Sequence, residues 1–217
     1  MAIDLSQPKL HTRLITSDTP DALRVTAAAI RDGKIAAFPT DTVYAAGALA
    51  SNPTALAHLY TIKQRSLSKP ITILVSSLEQ LRTVTQAIDP LAEKLIENFW
   101  PGALTLILPR HPGQPYINGA GSNTVAVRMP AHVLTLALLH EVGAPIAATS
   151  ANLSGKFSPL DADTALLHLD GKVKLVLDGG PCPGGVDSTV VDTSGGVVKV
   201  LRESAITARA IRQALEG

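Results

Sequence analysis

Three short segments of the chain carry side chains able to act on an anionic substrate. In Lys63-Gln64-Arg65-Ser66-Leu67-Ser68-Lys69, three cations fall within seven residues, directly after a stretch with helical periodicity. Arginine offers phosphate oxygens a planar fork and lysine a point charge, so the segment reads as a triphosphate clamp. The same cations would also suit a helix C-terminus, whose dipole favours positive charge by about 0.3 to 1 kcal/mol without any ligand. In Thr149-Ser150-Ala151-Asn152-Leu153-Ser154-Gly155, hydroxyls and an amide follow an apolar run. Such groups can bind phosphate or ribose beyond the end of a strand, where ligands of α/β sheets sit. They can equally close Asx or Ser turns on their own backbone. Pro39-Thr40-Asp41-Thr42-Val43-Tyr44 also follows an apolar run and by itself reads as a turn.

Other chemistries are excluded. There is no Gly-rich loop ending in Gly-Lys-Ser/Thr, no G-x-G-x-x-G after the first strand and no G-x-S-x-G elbow. His11, His58, His111, His132, His140 and His168 show no metal-ligand spacing and Cys182 stands alone, so no metal ligand is identified. A net charge of +1 argues against a strongly basic nucleic-acid binder, and 3% aromatics argue against stacking of bases. The distribution of charge says more than its sum. No Asp or Glu occurs in residues 42–78 or 98–140, and residues 42–160 hold eight Lys or Arg against five acids. Buried apolar strands would exclude acids there, and so would a site built for an anion. The first residues show no secretory pattern and no apolar run reaches the roughly 20 residues of a membrane span, so a soluble, cytoplasmic protein is expected.

These segments need a scaffold of alternating helices and strands. Periodicity predicts helices over 21–32 (Thr19 as N-cap, Pro20 first, Gly33 beyond the end), from Asn52-Pro53, over 78–88, from Asp89-Pro90, over 131–142, after 159 and from about 204. The second carries a stripe of Leu56, Leu59 and Tyr60, with Lys63 one turn further on. Strands are predicted over 35–38, 71–75, 104–108, 124–128, 145–149, 173–177, 189–192 and 197–201, and a mobile loop over 110–123. The fold class is α/β (α+β), and with no repeat and no linker residues 1–217 are read as one domain.

The three segments recur in order with further ones. These are Trp100-Pro101-Gly102, Val125-Ala126-Val127-Arg128-Met129-Pro130, Asp178-Gly179-Gly180, Ser188-Thr189-Val190-Val191-Asp192 and Leu201-Arg202. Together, over roughly residues 20–205, the chain resembles the YrdC-like family of threonylcarbamoyl-adenylate synthases, in its short single-domain form. The resemblance implies a twisted mixed sheet flanked by helices around a positively lined cavity. It implies that L-threonine and bicarbonate give N-carboxy-threonine, which attacks the α-phosphate of ATP and expels pyrophosphate. The threonylcarbamoyl-AMP would pass to tRNA threonylcarbamoyltransferase proteins that form N6-threonylcarbamoyladenosine at position 37. Lys63, Arg65, Ser150 and Asn152 are the implied catalytic and ATP-binding set, joined at ATP by Lys69, Thr124, Ser158 and Arg202. Thr42, Arg128 and Ser188 resemble the threonine pocket, with Arg128 on the carboxylate, and Mg²⁺ is expected with ATP. Lys63 and Arg65 are expected to be partly exposed.

Two positions depart from the family pattern: Ala45 replaces a usual Gly, and Leu74 stands where many members have His. Both bear on amino-acid specificity. A paralogue that binds RNA or nucleotide without making the adenylate is the main alternative. A carbamoyl-adenylating domain of much larger hydrogenase-maturation chains and a purely structural subunit are the others.

Overall fold

The structure, a computed structural model, describes residues 11–113 and 123–216, so most of the 110–123 loop lies outside it, as do residues 1–10. The helices are α1 (Ala22–Arg31), α2 (Pro53–Ile62), α3 (Leu78–Val84), α4 (Pro90–Phe99), α5 (Val133–Val142), α6 (Ala162–Leu169) and α7 (Ala208–Glu216). Most start where the sequence supplies a cap. Asn52 Oδ1 accepts from the Ala55 amide with Pro53 at the first position of α2, and Asp89 Oδ1 accepts from Leu91 and Ala92 ahead of α4. Ser77 and Asp161 do the same for α3 and α6.

The first helix corrects the expectation. Thr19, Pro20 and Asp21 are used in a turn, with the Ala22 amide on the Thr19 carbonyl, and Asp21 precedes the helix at φ 63. Asp tolerates that left-handed conformation better than most residues, so the turn needs no glycine. The predicted 78–88 helix also ends early, at Val84, because the Thr85 hydroxyl donates to the carbonyls of Ala87 and Pro109 instead of continuing the turn.

The described strands are β1 (Arg13–Thr16), β2 (Ala36–Phe38), β3 (Ala45–Leu49), β4 (Thr72–Leu74), β5 (Leu104–Pro109), β6 (Thr124–Arg128), β7 (Ile146–Ser150), β8 (Leu175–Asp178), β9 (Thr189–Asp192) and β10 (Lys199–Arg202). They form one mixed sheet in the order β1-β8-β2-β3-β7-β4-β6-β5-β9-β10. Strands β1 and β3 were not anticipated. β3 is Ala-Ala-Gly-Ala-Leu, a composition of low strand propensity, yet it pairs with β2 on one side and β7 on the other. The small side chains are required there: a Cβ on Gly47 would lie 2.7 Å from Ile146 Cγ2 and 3.0 Å from the Phe38 ring.

Alternation along the strands sends side chains into two cores. Ala46, Ala48, Leu106, Leu108, Val125 and Val127 face α2, α4, α6 and α7 through Leu59, Leu95, Leu169 and Ile211. On the other face, Phe38, Ala45, Ile146, Ala148, Leu175 and Leu177 meet α1 and α5 through Ile30, Leu138 and Leu139. This second core reaches β4 through Leu74, and its buried residues include none from β5, β6, β9 or β10. The sheet runs on past its helical cover, and the cavity described below opens at that boundary. Gly47→Ala tests the close packing of β3. The overpacked variant should lose about 1 to 3 kcal/mol, read as a lower urea midpoint with an unchanged slope. An unaltered midpoint would show that Phe38 and Ile146 move aside freely.

Candidate active site

A cavity of about 200 Å³ is floored by Ala45, Thr72, Leu74, Ala148 and Ser150 of the sheet. Its walls are Thr40, Thr42 and Val43 after β2, Arg65 and Pro70 after α2, Asp187 and Ser188 before β9, Arg128 at the end of β6, and Arg202 of β10. Of the residues named from the sequence, Thr42, Arg65, Arg128, Ser150, Ser188 and Arg202 line this one space. Ala45 and Leu74, the two departures from the family pattern, form part of its floor.

Arg128 is 6% exposed, and three of its N–H groups are bound within the protein. Nε donates to the Gly102 carbonyl at 2.9 Å, one terminal nitrogen to Thr42 Oγ1 at 2.9 Å, and the other to Asp41 Oδ1 at 2.6 Å. Burial pulls its pKa down and the Asp41 carboxylate opposes that shift. The Thr42 loop is shaped by Thr40, whose hydroxyl accepts from the Thr42 and Val43 amides and donates to the Val43 carbonyl. A strap from residue 180 to 188 closes over it: the Gly185 amide donates to the Thr42 carbonyl, and a Cβ on Gly184 would meet the Asp41 carbonyl at 2.4 Å. Tyr44 anchors the start of that strap by donating to the Gly180 carbonyl at 2.8 Å.

Lys63 departs from expectation. It is 1% exposed rather than partly exposed, and it is not among the cavity-lining residues. Its ammonium donates to the carbonyls of Ser150 and Asn152 and lies 3.4 Å from Asn152 Oδ1. Its own carbonyl accepts from the Ser154 hydroxyl at 2.8 Å and from the Ser154 amide at 3.2 Å. The Lys-x-Arg and Ser-x-Asn segments are thereby tied to each other. Asn152, 6% exposed, donates to the Leu153 and Lys156 carbonyls, which stiffens the same loop from inside. Desolvation pushes the Lys63 pKa down to about 7, helped by the nearby Arg65 charge and opposed by Asp187.

Arg65 faces the cavity with Nη2 on the Pro70 carbonyl at 2.8 Å. Burial lowers its pKa and the Arg202 charge adds to the shift, so the two guanidiniums sense each other. Arg202 donates through Nε to the Ser188 carbonyl at 3.0 Å, and its Nη1 lies 3.5 Å from Asp187 Oδ2. Ser188 Oγ is 2.8 Å from Thr105 Oγ1, and the Ser158 hydroxyl donates to Asp187 Oδ1 at 3.3 Å. Ser158 therefore reaches the wall through Asp187. The exposed Lys69 contributes its carbonyl, which accepts from Tyr60, while its side chain does not line the cavity. Thr124 opens β6 opposite Pro109, on the same sheet face as Arg128 but about 13 Å away at 3.3 Å per residue. Asp41, Thr105 and Asp187 were missed. The signal for Asp41 was available: a buried arginine in an acid-poor region needs a carboxylate, and Asp41 stands just before the first acid-free stretch.

The lowered pKa of Lys63 has a consequence for stability. From about pH 7 upward the folded protein releases a proton that an unfolded lysine keeps until its ordinary value of 10.5. Stability therefore rises with pH above 7, by at most about 1.4 kcal/mol per unit from this group. Above pH 9 this gain is offset, because burial raises the Cys182 thiol to about 11, and above pH 10 the raised pKa of Tyr44 turns the balance the other way. Urea midpoints measured at pH 7, 8 and 9 should climb for the native sequence and lose that slope in Lys63→Met. Parallel slopes in the two proteins would place the ammonium in a better-solvated position.

The Sua5/YciO/YrdC family model, described as telomere recombination, matches residues 28–204, which contain every cavity residue named above. The threonylcarbamoyl-AMP synthase of Bacillus subtilis is 45% identical over 183 residues, 83% of this chain and 53% of its own length. The crystal structure of P. abyssi Sua5 complexed with L-threonine superposes with a TM-score of 0.89 at 38% identity, covering 94% of this chain and 60% of that one. E. coli YciO superposes with a TM-score of 0.79 at 27% identity, covering 89% and 95%. The chain spans about half the length of the Bacillus subtilis and Pyrococcus abyssi synthases it matches. On the matched segment and the shared fold, the chain belongs to the Sua5/YciO/YrdC family.

Proposed function

We propose that the protein is an L-threonylcarbamoyladenylate synthase, which joins L-threonine, bicarbonate and ATP and releases pyrophosphate. The observation that carries this reading is the juxtaposition, in one cavity, of two differently built anion sites. At one end Arg128, Thr42 and Ser188 form a buried, closely hydrogen-bonded corner suited to a small carboxylate. Arg128 uses three of five N–H donors on the protein, so its fork still has donors to offer. Next to it, joined where Arg202 donates to Ser188, Arg202, Arg65 and Ser150 form a cationic wall that runs on to the other end and is suited to a polyphosphate. The P. abyssi relative binds L-threonine, which agrees with the first corner.

In this reading the carboxylate of N-carboxy-threonine attacks the α-phosphorus of ATP, an O–P bond forms, and the bond to the bridging oxygen breaks as pyrophosphate leaves. The nucleophile is an anion and needs no base. What the protein must supply is alignment and charge neutralisation. Arg65 and Arg202 serve the leaving phosphates, and Ser150 and its loop, held by Lys63, fix the distance to the amino-acid corner. The sheet face beyond the cavity leads from Arg128 past Ala126 to Thr124, which fits a nucleoside lying along β6. Magnesium would enter on the triphosphate, whose oxygens are hard donors, and its charge would lower the repulsion met by the nucleophile. Among the described residues no cluster of three His, Cys, Asp or Glu forms a cage for it. The product suits transfer to the proteins that place the threonylcarbamoyl group on tRNA, in the cytoplasm. Among the described residues no helix is long and apolar enough to cross a membrane.

The inward-facing Lys63 favours a second reading, a family member that binds nucleotide or RNA weakly without forming the adenylate. Pyrophosphate release from Mg·ATP separates the two: it should require threonine and bicarbonate together, and no release from folded protein would select the second. Arg65→Gln should raise KM for ATP about tenfold, the loss of one charge-assisted contact of roughly 1.5 kcal/mol, while melting is unchanged. Arg128→Gln should raise KM for threonine and also lower stability by about 3 to 5 kcal/mol, because the buried Asp41 loses its counter-charge. An effect of Arg128→Gln on KM for ATP alone would reverse the assignment of the two ends.

A further inference from the structure

Asp187 is an acid in the wall of a cavity otherwise built for anions, and nothing in the proposed chemistry uses it. The other carboxylate nearby, Asp41, differs in kind. Its side chain is 12% exposed and holds Arg128 at 2.6 Å, behind the cavity surface, so its separation would leave two buried charges unpaired. Asp187 lines the cavity, its side chain is 41% exposed, and its contact with Arg202 (48% exposed) is long, at 3.5 Å. A half-solvated pair at that distance is weak and easily exchanged. Its other oxygen accepts from Ser158 at 3.3 Å, also a long bond. Asp187 thus presents a carboxylate to a cation and a hydroxyl, the same two kinds of donor that a phosphate oxygen would take. Its charge is also felt by Lys63 and Arg128.

We infer that Asp187 is an exchangeable counter-ion: between turnovers it neutralises Arg202 and engages Ser158, and a polyphosphate takes both donors from it. The inference rests on the proposed synthase reading and adds a positioning residue to it. The exchange serves both directions. Without the carboxylate, Arg65 and Arg202 would repel each other across the cavity unscreened and draw in any anion. With it, pyrophosphate leaves more readily because Asp187 returns to Arg202 as it goes. Asp187 makes no bond to a reacting atom.

The test uses inorganic pyrophosphate with Mg²⁺ as the probe, by calorimetry on the whole chain. Asp187→Asn keeps the shape of the side chain and removes its charge. Asp187→Ala removes the carboxylate without leaving an amide that could donate to phosphate. Both should bind pyrophosphate roughly three- to tenfold more tightly than the native protein, and turnover should show KM for ATP and kcat falling together. Equal or weaker binding in both variants, with the native protein binding normally, would overturn the inference and leave the synthase reading intact. Absence of any pyrophosphate or ATP binding by the native, folded protein would overturn that reading and the inference with it. Melting curves exclude misfolding, and a tightening seen only in Asp187→Asn would assign the effect to the new amide and so overturn the role of charge.

Discussion

Arg128 places a permanent positive charge at the end of a central strand, almost out of water, and much of the surrounding structure is arranged to make that tolerable. Desolvating a guanidinium costs several kcal/mol, which only closely fitted partners offset. Those partners come from distant parts of the chain: the Gly102 carbonyl after α4, the Thr42 hydroxyl and the Asp41 carboxylate after β2. The Asp41–Thr42 loop must therefore close onto the end of β6, across β3, β7 and β4, and the 180–188 strap must pack on that loop without a Cβ at Gly184. By this account the pair does more to fix geometry than to add net stability. An arginine held by all three of its nitrogens cannot turn.

A second tie of the same logic works on the opposite wall. Lys63 joins the end of α2 to the loop after β7 in both directions, its ammonium donating to two carbonyls of that loop and its own carbonyl accepting from Ser154. Arg65, two residues on, is thereby set at a defined distance from Ser150, although 85 positions separate them in the chain. The two ties act on different ends of the cavity and share no side chain. Each holds a short polar segment that has little regular structure of its own against the rigid sheet.

The class of fold, most elements and the order of the polar segments were legible in the sequence, because caps, prolines and apolar periodicity are local signals. Asn52-Pro53 and Asp89-Pro90 stand where helices begin. β3 was not legible, since Ala45-Ala46-Gly47-Ala48-Leu49 is a strand only because Phe38 and Ile146 leave room for nothing larger. The direction of Lys63 was partly legible: it continues the stripe of Leu56, Leu59 and Tyr60, all buried, and the same periodicity that placed it there implied burial. The acid-free stretches had two explanations: buried strands account for part of them, and an anion site belongs to the proposed function. Residues 42–78 and 98–140 supply the central strands β3, β4, β5 and β6, and they also supply Arg65 and Arg128. Asp41, the partner of Arg128, stands just before the first stretch, whereas Asp187 and its partner Arg202 both lie outside the two stretches, where no local pattern connects them.

The floor of the cavity limits what chemistry can occur above it. Ala45, Leu74 and Ala148 are apolar, and Thr72, Thr105 and Ser150 carry hydroxyls that do not titrate near neutrality. No Cys or His is found among the described residues that line it. Cys182 is buried, and its thiol, raised to about 11, stays protonated and unreactive. Apart from the Asp187 carboxylate, which engages Arg202 and Ser158, the lining offers hydroxyls but no thiol or imidazole, which suits the proposed reaction, whose own substrate supplies the attacking anion. Such a reaction asks for two anions to be held together against their repulsion, with water kept from competing. The helical cover that stops at β4 leaves the cations reachable, and the buried ties behind them keep the walls from relaxing. In the proposed reaction the rate enhancement would then come from electrostatics arranged before the substrates arrive, with the wall cations set against a floor that carries no charge of its own.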